Sequence, residues 1–249
     1  MGKLKDSIKI LLLQIREDEL TKEEERDEFI RFSQLRSEQV DCINAFEYCD
    51  FSPDIIEGYD GLFIGGSSDA TVRDPIKYPF IPSCKKLIRY CYDIDLPVLA
   101  SCFGFQLAAE EFGGKVELDP DNMEMGLYPI ELTIEAKQDL LLSKFDSKFW
   151  AVSGHKERAT QLPKDAINLG HTQLCPYHIF TFPNKPFYAF QFHPEVDTAD
   201  LIKRISRYQE RYLDCDNALD EIIKSSVHNT DESNSLITEF VNVVILGNK

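Results

Sequence analysis

The sequence predicts one α/β domain with a mostly parallel sheet. Two features of the 249-residue chain carry that prediction. Short apolar runs alternate with amphipathic helical stretches along the whole length, the pattern of repeated strand–helix units. The first run, "IKILLLQI" at 8–15, is apolar at nearly every position, as a strand buried on both faces must be. A chain of this length is ample for one large core, and no repeat or low-complexity linker divides it.

The elements follow in order. "TKEEERDEFIRFSQLRS" reads as a helix with Thr21 as N-cap and acidic residues in its first turn. Phe29, Phe32, Leu35 and Ile30 form its apolar stripe, and its other side is expected to be solvated. Residues 41–49 suggest a second strand, and 61–64 a short strand entering a glycine turn. Residues 83–93 read as a helix, 96–100 as another strand, and "QLAAEEFGG" as a helix closed by glycines at its C-cap. The stretch 115–135 is β-rich. "KFWAVSGHKERATQLP" reads as a strand, a loop and a turn, and short strands continue to "FYAFQFHPEV". Helical patterns return at 198–226 and 232–246.

Composition narrows the function. The net charge of -16 and pI near 4.7 argue against nucleic acid or an anionic membrane as partner, since both need a basic footprint. No apolar run approaches the ~20 residues of a membrane span. The N-terminal apolar stretch is too short for a signal peptide, and Asp6 stands where a myristoylation signal wants Ser or Thr. The seven cysteines include no C-x-x-C pair and no compact Cys/His group at zinc-ligand spacing. Cys84 and Cys91, seven apart, fall on one helix face and read as core. Reduced thiols in a cytoplasm are expected.

Chemistry concentrates at Cys102. In "PVLASCFGFQLAAEEF" a strand turns into a helix at the cysteine, the arrangement of a nucleophile elbow. Small Ala100 and Gly104 allow close packing on either side. A helix N-terminus favours a thiolate, and its N–H groups, that of Phe103 first, can hold an oxyanion. The competing reading is a buried core cysteine. In "FQFHPEV", Glu195 lies two residues from His193, so both point to one side of an extended chain. The carboxylate can then fix the imidazole tautomer; alone, such a pair is commonly a surface pair. "FIGGSSD" puts two glycines directly after a strand. Their N–H groups could approach a ligand, or simply form a tight turn.

Together these segments resemble class I glutamine amidotransferase domains. "ASCFGFQLAAEEFGGKV" is similar to their G-x-C-x-G-x-Q motif, "FQFHPEV" to Q-F-H-P-E, and "GLFIGGSSD" stands in place of their oxyanion loop. "EMGLYPIELT" and "GHKERATQLP" resemble the intervening stretches of the GMP synthase amidotransferase domain and related stand-alone proteins. The resemblance spans about 8 to 200, in the family's order. It implies a three-layer, flavodoxin-like α/β architecture, a central, mostly parallel (mixed) sheet flanked by helices, and a single type 1 amidotransferase domain over 1–249, with extra C-terminal helices at about 198–249. It implies Cys102 as nucleophile, His193 as acid/base, Glu195 as its orienter, and Gly66 and Phe103 N–H groups as the oxyanion hole. Gln106 and His155 correspond to substrate-side positions. No metal or organic cofactor is implied. Ala100 and Gly154 depart from the family's Gly and Ser.

The reaction implied is hydrolysis of the glutamine side-chain amide through a γ-glutamyl thioester, with ammonia passing to a separate synthase subunit. The alternatives are a γ-glutamyl peptide hydrolase without a partner, and a non-enzymatic binding or regulatory module. "IGGSSDAT" superficially resembles a pyrophosphate loop, but Arg73-Asp74-Pro75 breaks the helix such a loop needs.

Overall fold

The computed structural model of the chain describes residues 4–207 and 228–248. A nine-stranded mixed sheet runs through it in the order β2-β1-β3-β4-β11-β10-β9-β6-β7. Five strands form its parallel half: β1 (Ile10–Gln14), β2 (Val40–Asn44), β3 (Gly61–Ile64), β4 (Val98–Ser101) and β11 (Phe187–Phe190). Antiparallel pairing extends it through β10 (Ile179–Thr181), β9 (Ile167–His171), β6 (Glu124–Leu132) and β7 (Lys148–His155). A separate ribbon pairs β5 (Lys115–Leu118) with β8 (Glu157–Gln161).

The two-residue period of the strands divides the core into two layers. Leu11, Leu13, Leu62 and Ile64 pack on one face beneath α2 (Ile81–Asp93) and α3 (Phe103–Glu111). Ile10, Leu12 and Phe63 face the opposite way, against α1 (Glu19–Ser33) and α5 (Asp231–Glu239). All of β1 is buried, because strands flank both its edges and helices cover both its faces. Cys84 and Cys91 are fully buried in the α2 layer.

Several boundaries differ from the sequence reading. The α1 N-cap is Asp18, whose carboxylate accepts the Thr21 N–H at 2.8 Å; Thr21 is therefore the third helical residue. The helix stops at Ser33, where Gln34 turns left-handed at φ 55°. Its polar side is not merely solvated, since Glu25 and Glu28 are buried. Each meets an arginine: Glu25 pairs with Arg16, and Glu28 holds Arg204 through both oxygens at 2.7 and 2.9 Å. Helix α3 begins at Phe103, directly after Cys102, which makes the elbow tighter than a four-residue turn. Only Lys156 separates β7 from β8, where a longer loop was expected. Of the helix expected at 198–226, α4 (Thr198–Arg207) is present and 208–227 lies outside the described residues. The second, α5, runs on into a π-helical turn, Phe240–Ile245.

Parallel strands end on the same edge of a sheet, and ligands of open α/β folds bind outside those carboxyl ends. Here β1, β3, β4 and β11 bring Arg16, Gly66, Cys102 and His193 to that edge. The chain after β11 also bridges to the far edge strand, His193 N–H donating to Val152 O of β7 at 2.8 Å. That contact closes the cleft.

Candidate active site

Cys102 stands at the junction of β4 and α3 with φ 48° and ψ −95°. Such a conformation is costly for a residue with a Cβ. Two backbone hydrogen bonds hold it: Cys102 N–H donates to Phe190 O at 2.7 Å, and Gln106 N–H to Cys102 O at 3.1 Å. Gly104 makes the sharp entry possible. A Cβ there would fall 2.9 Å from Ile64 Cβ and 3.2 Å from Ala100 Cβ, so α3 packs against β3 and β4 with no room for a side chain. The first N–H groups of a helix have no partner within it, and Phe103 supplies one beside the thiol.

His193 and Glu195 face the elbow from the segment after β11. His193 Nδ1 lies 2.6 Å from Glu195 Oε1, and Ser101 Oγ donates to Glu195 Oε2 at 2.7 Å. Glu195 is fully buried. Burial works against a charged His193, but Cys102 and Glu195 outweigh it and lift the imidazole to about 10. Burial likewise pushes the Glu195 carboxyl up, and His193 and Ser101 more than reverse that, leaving it below its ordinary range. A thiol, an imidazole held cationic and an ionised carboxylate thus lie together, a set able to activate a nucleophile.

The glycine turn after β3 closes one side. A Cβ on Gly66 would fall 2.7 Å from His193 Cε1 and 3.5 Å from Cys102 Cβ, so this backbone lies against both groups. The Gly66 N–H, however, donates to Glu25 Oε1 at 3.2 Å. The same carboxylate accepts Arg16 Nε at 2.9 Å and Gln14 Nε2 at 3.2 Å. Gly66 N–H is therefore engaged by α1 in this conformation. A cleft of about 280 Å³ opens beside Cys102, Phe103, Gln106, Gly154 and His155.

Gln106 and His155 line that cleft, yet both already have protein partners. Gln106 Nε2 donates to Glu157 O at 2.9 Å and approaches Gln191 Oε1 at 3.4 Å. Gln191 Nε2 in turn reaches Cys102 Sγ at 3.8 Å. His155 is buried, not a solvated loop residue, and its Nε2 lies 3.1 Å from Glu124 Oε2. The same oxygen meets His178 Nε2 at 2.7 Å. Burial lowers His155, more than Glu124 can restore. For His178 burial also opposes the charge, but Cys175 and Glu124 outweigh it and lift the group to about 9.

Sequence reading missed Ser101, Gln191, Glu124, Arg16 and Glu25. Ser101 and Gln191 sit inside motifs that were noticed, so their neighbours were the available signal. Nothing in the sequence marks the other three, whose role depends on which distant residue they meet.

A cysteine at positive φ on a strand–helix elbow faces a buried His–Glu pair at the carboxyl edge of a mixed, mostly parallel α/β sheet. Comparison with known proteins gives the family. The profile of glutamine amidotransferase class-I matches residues 32–206, and the chain belongs to that family, which comprises cysteine-nucleophile, glutamine-hydrolysing enzymes. Among its relatives, the glutamine-hydrolysing GMP synthase of Aliivibrio fischeri strain MJ11 is 27% identical over 176 residues, covering 67% of this chain and 29% of the relative. That of Photorhabdus laumondii is 35% identical over 149 residues, covering 58% and 26%. The chain thus spans less than a third of the length of these relatives. A glutamine amidotransferase structure from Thermotoga maritima superposes with a TM-score of 0.79 at 17% identity, covering 96% of this chain and 98% of that one. One from Methylobacillus flagellatus gives 0.68 at 17%, covering 96% and 95%. At that identity these likenesses speak to the fold, which is the mixed three-layer sheet predicted. Among the described residues, no helix is long and apolar enough to cross a membrane.

Proposed function

We propose that this chain hydrolyses the side-chain amide of glutamine, using Cys102, His193 and Glu195, and delivers ammonia to a separate synthase subunit. The observation that carries the proposal is the left-handed Cys102 at the start of α3, faced by the 2.6 Å His193–Glu195 pair. In this reading the Cys102 thiolate attacks the amide carbon, and the carbonyl oxygen becomes an oxyanion. The Phe103 N–H and the Gly66 N–H stabilise that oxyanion. His193, cationic beside the thiolate, protonates the departing nitrogen, and the C–N bond breaks to release ammonia. A water then gives a proton to neutral His193 and attacks the γ-glutamyl thioester; glutamate leaves and Cys102 regains its charge. Glu195 keeps the imidazole oriented throughout, with Ser101 holding the carboxylate.

The Gly66 N–H must leave Glu25 before it can serve the oxyanion. That requirement favours a subunit whose full rate awaits a docked synthase over a hydrolase that works alone. Gln106 and His155 shape the wall of the cleft that receives the substrate. We take residues 1–249 as one catalytic domain, carrying its C-terminal helices as an addition. Among the described residues six cysteines are unpaired, which fits a reducing cytoplasm. The similarity to the amidotransferase part of GMP synthases supports a synthase as the ammonia acceptor's host.

Ammonia and glutamate release from glutamine, compared with release from γ-glutamyl dipeptides, tests the proposal. Glutamine turnover that disappears in Cys102→Ala supports it, and stimulation by an added synthase supports the partner. Turnover of dipeptides alone would assign the γ-glutamyl hydrolase instead.

A further inference from the structure

Away from the catalytic groups, the fold gathers a second set of reactive side chains. His155 ends β7, Cys175 and His178 lie between β9 and β10, and Glu124 opens β6. One nitrogen of each imidazole and the Cys175 sulfur lie within 4.8 Å of one another. Cys175 and His178 are fully buried, and His155 is 5% exposed. His178 uses Nε2 toward Glu124, and its other nitrogen, Nδ1, is buried with no hydrogen-bond partner. An unsatisfied buried ring nitrogen beside a thiol calls for an explanation, because such groups carry a desolvation cost.

We propose that His155, Cys175 and His178 bind a zinc-type divalent cation, with Glu124 orienting the imidazoles from behind. One thiolate and two imidazoles are the ligand types of zinc rather than of magnesium or calcium. Zinc–nitrogen and zinc–sulfur bonds of about 2.0–2.3 Å require the three atoms to close up only modestly, which side-chain rotation supplies. Metal-bound histidines usually donate their second N–H to a carboxylate, and Glu124 Oε2 lies 2.7 Å from His178 Nε2 and 3.1 Å from His155 Nε2. Thr172 Oγ1 donates to the other Glu124 oxygen and accepts the Cys175 N–H, so the carboxylate and the thiol are fixed together. Charge also balances: the dication meets one thiolate and one carboxylate, giving a neutral buried assembly. On binding, the thiol proton and any proton on the ligating nitrogens pass to solvent. The ion would tie the end of β7, whose His155 lines the cleft, to the connection between β9 and β10. Sequence spacing hid the site, since only Cys175 and His178 are close in the chain and His155 lies twenty residues earlier.

The test uses the full chain, reduced, in a Cys102→Ala background so that the catalytic thiol does not contribute. Co²⁺ and Zn²⁺ are the probes and Mg²⁺ the control. One equivalent of Co²⁺ should give a thiolate-to-metal absorption band and the visible bands of a tetrahedral site, both removed by Zn²⁺. Zinc at a hundredfold excess over its dissociation constant should raise Tm by roughly 5–10 °C, and Mg²⁺ should not. Cys175→Ser should abolish the thiolate band, and His178→Gln should weaken binding by more than the roughly 10–100-fold typical of losing an outer-shell partner. Should either variant fail to fold, alkylation in a urea concentration that opens the fold, followed by peptide mapping, replaces it: zinc should slow alkylation of Cys175. No stoichiometric binding, a thiolate band that survives in Cys175→Ser, or Cys175 alkylated equally with and without zinc would overturn the proposal.

Discussion

Cys102 carries a backbone conformation that costs on the order of 1–3 kcal/mol, and the fold tolerates it because β4, α3 and the Phe190 carbonyl leave the thiol no other place. His193 shows the matching electrostatic effect, held cationic by Cys102 and Glu195 against its own burial. Its folded value, about 10, stands above the ordinary 6.5. Its charge therefore contributes stability that is complete below pH 6.5 and is lost as the pH rises through about 10. Glu195→Gln removes one of the groups sustaining that charge. We expect glutaminase kcat to fall on the order of 10²–10⁴-fold and its basic limb to move to lower pH. A pH–rate profile measures both, and an unmoved basic limb would contradict the assigned role of Glu195.

At the level of elements, the junction of α3 with β3 makes a direct prediction. Gly104→Ala places a methyl 2.9 Å from Ile64 Cβ. Such overpacking costs about 1–3 kcal/mol, or roughly 2–10 °C in Tm, and calorimetry would register it. Helix α1 makes another through Glu25. Glu25→Gln keeps the shape but weakens the grip on Gly66 N–H, since hydrogen bonds to ionised groups are roughly twice as strong as neutral ones. It also removes the buried Arg16–Glu25 ion pair. The expected outcome is a lower urea midpoint with a severalfold higher partner-free rate per folded molecule. A rate that falls in step with stability would show Glu25 to be structural only. These elements also show what the sequence reveals. That Cys102 sits at a strand–helix junction and that His193 and Glu195 pair was legible, because a strand–helix junction and an alternating strand end are local patterns. Glu25, Arg16 and Glu124 were not, because an acidic residue on a charged helix looks solvated until a distant guanidinium or imidazole covers it. Asp18 displaced Thr21 as N-cap for the same reason: two neighbouring caps compete, and geometry chooses.

Over the whole molecule, the parallel half of the sheet delivers four functional segments to one edge, and the antiparallel half wraps a wall back to His193. This arrangement was readable in outline from alternating apolar runs. The strand order was not, because β11 pairs with β4 and β9 with β6 across long stretches of chain, pairings that no local pattern records. The chain matches less than a third of the length of the GMP synthases it resembles, and the proposed function passes the ammonia to a separate synthase subunit. An added synthase subunit is therefore expected to raise ammonia output, measured in a coupled assay, and to leave Cys102→Ala silent. The central claim is that Cys102 forms a γ-glutamyl thioester. Acid quenching during glutamine turnover, followed by mass spectrometry of the peptides, tests it most directly. A γ-glutamyl adduct on the Cys102 peptide is the predicted result; glutamine turnover with no adduct there, or with the adduct on another cysteine, would contradict it.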